Sequence, residues 1–478
     1  MFPVAICTVG CKLNQVESEA LADSFRKAGF EIVPWTTKIE GPGIVIVNTC
    51  TVTSKADQKT RVLIRKVLRK NTESCVIVTG CYAKLEPGEI EALEAECSPI
   101  GGSPEGDSPS GDSPGGGVRR LFVPRGGEEG AGAAKSALLE LPGYIREAAG
   151  GLSEILGRWI TSQNGNDPFG FSPDEFTFHS RGYLKIQDGC DNHCTYCRAR
   201  LARGPSVSLS PEAALSQLRS LESKGCAELV IAGMNVAQYG HSGLRLADLL
   251  WHLLEGSETI ALRMSSLEPD GIDERLASVL AHPRVRPHFH LSVQSGSGDV
   301  LRKMGRSYDP RTVEEAASLL RSVKDNPFLA CDMIAGFPGE TEADFDLTLA
   351  LCEKIGFTWI HSFPFSSRPG TPAFSLGGQV RDREVKRRAD LLSDLAWKGR
   401  REYAGAWLGR ELSGVVENER SGERQCRVVS ENYLKLIVNC KGEIPPPGST
   451  LHCVPVSLCP GANGENPDAV ADEVKPEK

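Results

Sequence analysis

The sequence predicts an α/β protein in which two stretches of alternating strands and helices are followed by a small antiparallel barrel. Three observations carry that reading. Apolar runs of strand length alternate with amphipathic helical stretches over residues 1–97, and again from Tyr183 to about Tyr403. After Gly409 the alternation gives way to short strand-like runs separated by Gly and Pro turns. A Gly/Ser/Pro tract separates the first two stretches. At 478 residues the chain exceeds what one core supports, so roughly three domains are expected.

The first stretch reads as strand Val4 to Val9, helix Glu17 to Ala28, strand Ile44 to Val47, helix Ala56 to Arg69 and strand Cys75 to Thr79. In each case a cysteine follows the carboxyl end of a strand: Cys11, Cys50 and Cys81. Such ends share one rim of a parallel sheet, so the three thiols can converge on one ligand. The domain is placed at 1–97, or as far as about 172. Residues 98–172 are read as a flexible insert and linker. Ser98–Gly117 repeats Gly, Ser, Pro and acidic residues and cannot offset its ordering entropy by burial. A helical patch from Ala133 to Ile160 follows, broken at Pro142 and at Gly150-Gly151.

Over 176–405 the strands are Tyr183–Ile186, Glu228–Ala232, Leu262–Ser265, His288–Val293, Ala330–Ile334 and Ile360–Phe363. The helices between them are Pro211–Ser223, Leu246–Leu254, Asp273–Ala281, Arg311–Val323 and Glu342–Glu353. Six strands with intervening helices fit a partial (β/α)6 barrel with its site at the strands' carboxyl ends. The loop after the first strand carries Cys190, Cys194 and Cys197 in a C-x3-C-x2-C run. Three thiolates and no fourth suit an iron–sulfur cluster with one open iron better than a closed zinc site. His193, beside Cys194, is poorly placed as a fourth zinc ligand. Gly233, Asn235, Glu268, Gln294 and Asp332 lie at or near later strand ends and are candidate contacts for a small-molecule cofactor.

The last stretch, 406–460, gives Leu412–Glu417, Gln425–Val429, Leu434–Val438 and Thr450–Val456 as strands of a small barrel, with Cys453 and Cys459 outside it. Residues 461–478 are acidic and polar and read as a disordered tail. The remaining cysteines among the sixteen read as buried thiols. The net charge of −8 argues against a surface coated in basic residues. It leaves local clusters, Arg61, Arg65, Lys66, Arg69 and Lys70 on one helix, and Arg381, Arg383, Lys386, Arg387, Arg388, Lys398, Arg400 and Arg401 on another. Each is read either as a nucleic-acid contact or as a solvated helix face. The start has no basic leader and no apolar run spans a membrane, so a cytoplasmic protein with reduced thiols, independent of membranes, is expected.

The cysteine loop resembles the signature of the radical S-adenosylmethionine (SAM) enzymes. With a second cysteine triad and a terminal barrel, nearly the whole chain resembles the radical-SAM methylthiotransferases. Gly10-Cys11-Lys12-Leu13-Asn14, Asn48-Thr49-Cys50-Thr51-Val52-Thr53 and Thr79-Gly80-Cys81-Tyr82-Ala83 are most similar to the branch acting on N6-threonylcarbamoyladenosine in tRNA. Gln294-Ser295-Gly296-Ser297, Gly336-Phe337-Pro338-Gly339-Glu340-Thr341 and Arg368-Pro369-Gly370-Thr371-Pro372-Ala373 match segments shared by all branches.

The resemblance implies an N-terminal methylthiotransferase domain, a central radical-SAM barrel and a C-terminal OB-like TRAM domain that holds RNA. It implies a SAM-cleaving [4Fe-4S] cluster on Cys190, Cys194 and Cys197, and an auxiliary [4Fe-4S] cluster on Cys11, Cys50 and Cys81. SAM would serve as methyl donor and as the source of the radical that removes hydrogen from carbon 2 of the adenosine at position 37 of the anticodon loop. The five polar candidates would then contact SAM. An electron donor such as a flavodoxin or ferredoxin and a monomeric state are expected. Action on isopentenyladenosine tRNA or on a ribosomal-protein aspartate stays open, as does a non-catalytic iron–sulfur RNA-binding or redox-sensing protein. Two features depart from the family pattern: Arg198-Ala199-Arg200-Leu201 stands where apolar residues and a proline are usual, and the Ser98–Gly117 insert has no counterpart.

Overall fold

The computed structural model describes residues 2–36, 38–39, 41–97, 119–124, 135–161, 167–460 and 466–474. The chain forms two compact units, Met1–Glu175 with Arg198–Gly204, and Phe176–Cys197 with Pro205–Lys478.

The first unit is built on a parallel sheet of β1 (Val4–Thr8), β2 (Ile32–Val33), β3 (Ile44–Thr49), β4 (Cys75–Gly80) and β5 (Leu121–Phe122), in the order β2-β1-β3-β4-β5. Strands β3 and β4 are buried along their whole length, as unbroken Ile/Val runs demand of a sheet covered on both faces. Helices α1 (Lys12–Lys27), α2 (Ser54–Lys70), α3 (Cys81–Leu85) and α4 (Pro87–Cys97) follow the strands. The first helix starts five residues before its expected position, with Cys11 as its N-cap. Its first turns bury Asn14, Glu17 and Glu19, and those polar residues hid the helical apolar period.

Leu121–Phe122 and the helices Leu141–Glu147 and Leu152–Thr161, which the sequence places in the insert and linker, are part of this unit, with Leu138, Leu141 and Trp159 buried. A two-residue strand is too short to leave a periodic signal. The Ser98–Gly117 tract lies outside the described residues.

In the second unit the strands Gly182–Lys185, Glu228–Ala232 and Ala261–Met264 pair in parallel. Ser266–Leu267, His288–Gln294, Phe328–Ala335 and Trp359–Pro364 continue the series in parallel. The chain steps from one set to the other at Ser265, giving six consecutive strands of an open (β/α)6 barrel. The helix Pro211–Ser223 begins where Ser210 caps Ala213 N–H and Pro211 fills the first position.

One end of this barrel is plugged. Glu228 is buried, with both carboxylate oxygens held by Arg263 at 2.6 and 2.9 Å and one of them by Arg286 at 2.9 Å. Arg263 also donates to the Ser430 carbonyl at 3.1 Å, and Tyr433 stacks on His288 at 3.9 Å.

Ser430 and Tyr433 belong to the C-terminal part, a closed five-stranded barrel in the order Leu412–Gly422, Gln425–Ser430, Lys435–Asn439, Ala469–Glu473, Thr450–Leu458. Two sequence expectations are corrected here. Residues 469–473 are the closing strand of the barrel rather than part of a disordered tail, pairing in parallel with Lys435–Asn439 and antiparallel with Thr450–Leu458. Ala469 and Ala471 are fully buried, and the preceding Asp468 takes two hydrogen bonds from Arg400, at 2.5 and 2.8 Å. Small apolar residues and one satisfied charge do the work that bulky residues do elsewhere. Cys453 lies inside this barrel, fully buried in its core.

Candidate functional site

The three strand-end cysteines of the first unit are brought to one rim by register. Thr49 is paired with Gly80 across β3 and β4, so Cys50 and Cys81 leave neighbouring strands at the same level. Thr8 is paired with Asn48, which sets the turn carrying Cys11 beside them. Two glycines permit the approach. A Cβ on Gly10, at φ +145°, would lie 2.8 Å from the Cys50 Cβ, and one on Gly80, at φ +107°, would lie 2.2 Å from the Thr49 carbonyl oxygen. Asn14 pins the rim, donating to Asn48 Oδ1 at 3.0 Å and to the Thr49 carbonyl at 2.9 Å while its Oδ1 accepts from the Cys11 thiol at 3.5 Å.

Cys50 and Cys81 are buried and Cys11 is exposed. Burial pushes the Cys50 thiol up to about 12, neighbouring Cys11 and Cys81 add to the rise, and the Arg203 guanidinium opposes it. Arg203 lies on the helix Ala199–Arg203, which belongs to this unit. It bonds both carboxylate oxygens of Glu17, at 2.8 and 3.2 Å, and Asn14 Oδ1 at 3.3 Å. Arg198, the departure from the family pattern, pairs with Glu86.

In the second unit, Cys190, Cys194 and Cys197 are each partly exposed on the loop after the first barrel strand. Burial raises the Cys190 thiol against hydrogen bonds from the Asn192 backbone and the Asn235 side chain. Burial likewise raises Cys194 against the charge of Arg306, whose Nη1 donates to its sulfur at 3.3 Å. A guanidinium aimed at a sulfur suits a site whose thiols become thiolates on binding metal. Among the described residues no three His, Cys, Asp or Glu side chains converge on a single ion. Cluster ligands bind different irons and have no need to.

Two family descriptions match the chain, Uncharacterized protein family UPF0004 over residues 3–101 and the Radical SAM superfamily over residues 184–352. A threonylcarbamoyladenosine tRNA methylthiotransferase of Treponema pallidum is 39% identical over 93% of this chain and 96% of its own length. The chain belongs to the radical-SAM methylthiotransferase family. A second threonylcarbamoyladenosine tRNA methylthiotransferase, of Thermotoga maritima, is 34% identical over 87% of each chain. A tRNA-2-methylthio-N(6)-dimethylallyladenosine synthase of Thermus thermophilus is 28% identical over 87% of this chain and 82% of its own. The methylthiotransferase is thus an enzyme that uses SAM and two [4Fe-4S] clusters to modify tRNA. The donor sets fit those clusters, with a triad of thiols in each unit and glycines that let the strand ends carrying the buried ones approach closely. Among the described residues no helix of the methylthiotransferase is long and apolar enough to cross a membrane.

The polar residues expected to contact SAM fall into different places. Asn235 reaches Cys190, and its own Oδ1 caps Ala237 N–H at 3.2 Å. Glu268 pairs with Arg306 at 3.1 Å, and burial pushes it up to about 7 against the pull of that guanidinium. Gln294 closes its strand at φ +71° and is 8% exposed. Gly233 packs on Gln187, whose Oε1 lies 3.0 Å from where a Cβ would stand, so its smallness has a packing cause. Asp332 is flanked instead by His290, 3.1 Å away, and by His361 on the paired strand. Burial raises Asp332, but those two rings hold it below the usual carboxylate range.

Arg306 and His290 are the site residues that the sequence reading missed. One arginine and one histidine carry no pattern of their own. The basic clusters divide similarly. Arg388 and Arg400 are buried against Glu340 and Asp468, which removes them from any RNA-facing set. Arg65, Lys66, Arg69, Lys70 and exposed Val62 line a surface groove along α2.

Proposed function

We propose that the enzyme places a methylthio group on carbon 2 of N6-threonylcarbamoyladenosine at position 37 of the tRNA anticodon loop. The observation that supports this reading is the likeness to threonylcarbamoyladenosine tRNA methylthiotransferases, 39% identical for that of Treponema and 29–34% for five others, beside 28% for the Thermus dimethylallyladenosine enzyme. Cys190, Cys194 and Cys197 hold one cluster, and Cys11, Cys50 and Cys81 the other. When bound, the clusters and SAM supply the sulfur, the methyl group and the radical needed to break an unactivated carbon–hydrogen bond.

The chain's own residues orient and shield. Arg306 donates to the Cys194 sulfur and pairs with Glu268, holding a fixed positive charge beside the cysteine loop. Asn235, beside Cys190, and Glu268, paired with Arg306, are the residues we assign to SAM. The C-terminal barrel and the groove along α2 supply surfaces for single-stranded RNA and its phosphates. A flavodoxin or ferredoxin as electron donor, a monomeric state and a cytoplasmic setting belong to the same reading.

The test is mass spectrometry of tRNA nucleosides from a deletion strain. The 2-methylthio derivative of N6-threonylcarbamoyladenosine is expected to vanish while its unmethylthiolated precursor accumulates. Loss of the isopentenyl derivative instead would overturn the assignment.

A further inference from the structure

Between the plugged end of the open barrel and its cysteine loop lies a layer of side chains that neither the clusters nor SAM accounts for. Ser266 Oγ and His290 Nδ1 are 2.6 Å apart. His290 Nε2 lies 3.1 Å from Asp332 Oδ1, and the His290 and His361 rings meet edge to face at 5.2 Å. These residues share one face of the sheet by strand alternation and register, Asp332 opposite His361. The other face, with Phe289, Leu291, Leu329, Cys331 and Met333, is fully buried. Glu268, two residues after Ser266, pairs with Arg306 at 3.1 Å, and Arg306 donates to the Cys194 sulfur at 3.3 Å, which sets this layer next to the cysteine loop.

The layer opens to solvent along Trp359–Pro364, a strand paired on one side only. His361 is exposed there, and Phe363 is 38% exposed, with its ring within 19° of parallel to the His361 ring and centroids 6.4 Å apart. Large exposed aromatics are costly to leave in water and suit a flat ligand. Asp332 keeps 23% of its side chain exposed behind them. Parallel rings in front of a carboxylate match a nucleobase, which offers a π-face to the rings and an N–H edge to the acceptor.

We propose that His361 and Phe363 form the stacking platform for the target adenine once it has left the anticodon stack, with Asp332, oriented by His290, accepting an N–H from the base or its N6 substituent. This rests on the reading of the chain as acting on an anticodon-loop adenosine, and it moves Asp332 from SAM to the substrate. His290 is a positioning residue, since it acts through Asp332.

The test uses the full chain and an anticodon stem-loop carrying 2-aminopurine at the target position, whose fluorescence is quenched on stacking. Wild-type protein should hold it below the fluorescence of the unstacked base. Phe363→Leu and His361→Ala should each weaken the quenched complex on the order of tenfold, and Phe363→Tyr should restore it. In the reconstituted enzyme the ratio of methylthiolated nucleoside to 5′-deoxyadenosine should fall in the Leu and Ala variants, with the half-saturating SAM concentration unchanged. Unaltered quenching, or a rise in half-saturating SAM without loss of quenching, overturns the proposal and returns these residues to SAM or to the scaffold. Because 2-aminopurine lacks the N6 modification, quenching reports on the platform whichever modified adenosine the deletion strain identifies.

Discussion

Cys190, Cys194 and Cys197 come from eight consecutive residues of one partly exposed loop, whereas Cys11, Cys50 and Cys81 come from three separate strand ends, two of them buried. The first triad depends on local chain geometry, so its spacing alone announces it. The second depends on the register of β1, β3 and β4, on glycines that let strand ends meet, and on Asn14 bonded across the rim. A site assembled from register is only as stable as its sheet. The loop site has all three ligands on one segment, which Thr195 fastens by donating to the Met304 and Lys303 carbonyls and accepting from Ala373 N–H.

Separate replacement of the triads gives the largest effects. Ala at Cys190, Cys194 and Cys197 together should remove about half of the reconstituted iron and abolish 5′-deoxyadenosine formation. Ala at Cys11, Cys50 and Cys81 should remove a similar share of iron yet leave SAM cleavage measurable. Loss of all iron in the second variant would break the comparison, since the triads would then share one cluster.

Next comes the scaffold under the loop site. Glu228→Gln leaves Arg263 and Arg286 without their buried counter-charge and should cost about 3–5 kcal/mol in urea unfolding of the barrel. Burial raises Glu228, but Arg263, Arg181 and Arg286 together lower it to about 2. Its contribution is therefore complete above the unfolded carboxyl value of about 4.5 and is lost as pH falls toward 2. The wild-type midpoint should drop across that window, and the Gln variant should lack that component of the drop.

A smaller effect is expected at the rim of the first unit. Gly80→Ala forces a left-handed residue and a Cβ against the Thr49 carbonyl, at about 1–3 kcal/mol. Iron bound by the N-terminal triad should fall while SAM cleavage persists. Retention of full iron would show that the strand ends adjust more freely than their register suggests. Removal of Ser98–Gly117 behind a short Gly/Ser linker should change neither iron content nor turnover, since Ile100 is the single large apolar residue the tract offers to a core. A loss of iron there would add a fourth element to the N-terminal site.

What could be read in the sequence follows the same division between local and long-range causes. The helix Pro211–Ser223 and the strand Glu228–Ala232 have the bounds that capping residues and apolar runs assign them. The cysteine loop is visible for the same reason. Ala469–Glu473 was hidden because Ala-Val-Ala-Asp-Glu has the composition of a tail. Only the facing strands and the Arg400–Asp468 pair make it a barrel strand. Arg388 and Arg400 were indistinguishable in sequence from their exposed neighbours on the helix Asp382–Ala406, since a partner such as Glu340 or Asp468 lies dozens of residues away.

The seven residues Arg198–Gly204 have a further consequence for how the protein is made. They follow the third cysteine of the loop site, yet they complete the first unit: Ala202 packs with Cys81, and Arg203 shares the buried Glu17 carboxylate with Lys135. During synthesis the N-terminal sheet emerges long before this helix does, and until then Glu17 has Lys135 but not the two hydrogen bonds from Arg203. The first unit is therefore not a detachable cassette. A ribosome that has delivered residues 1–175 has delivered an unfinished domain, and its completion waits for the stretch of message that also encodes the radical-SAM cysteines.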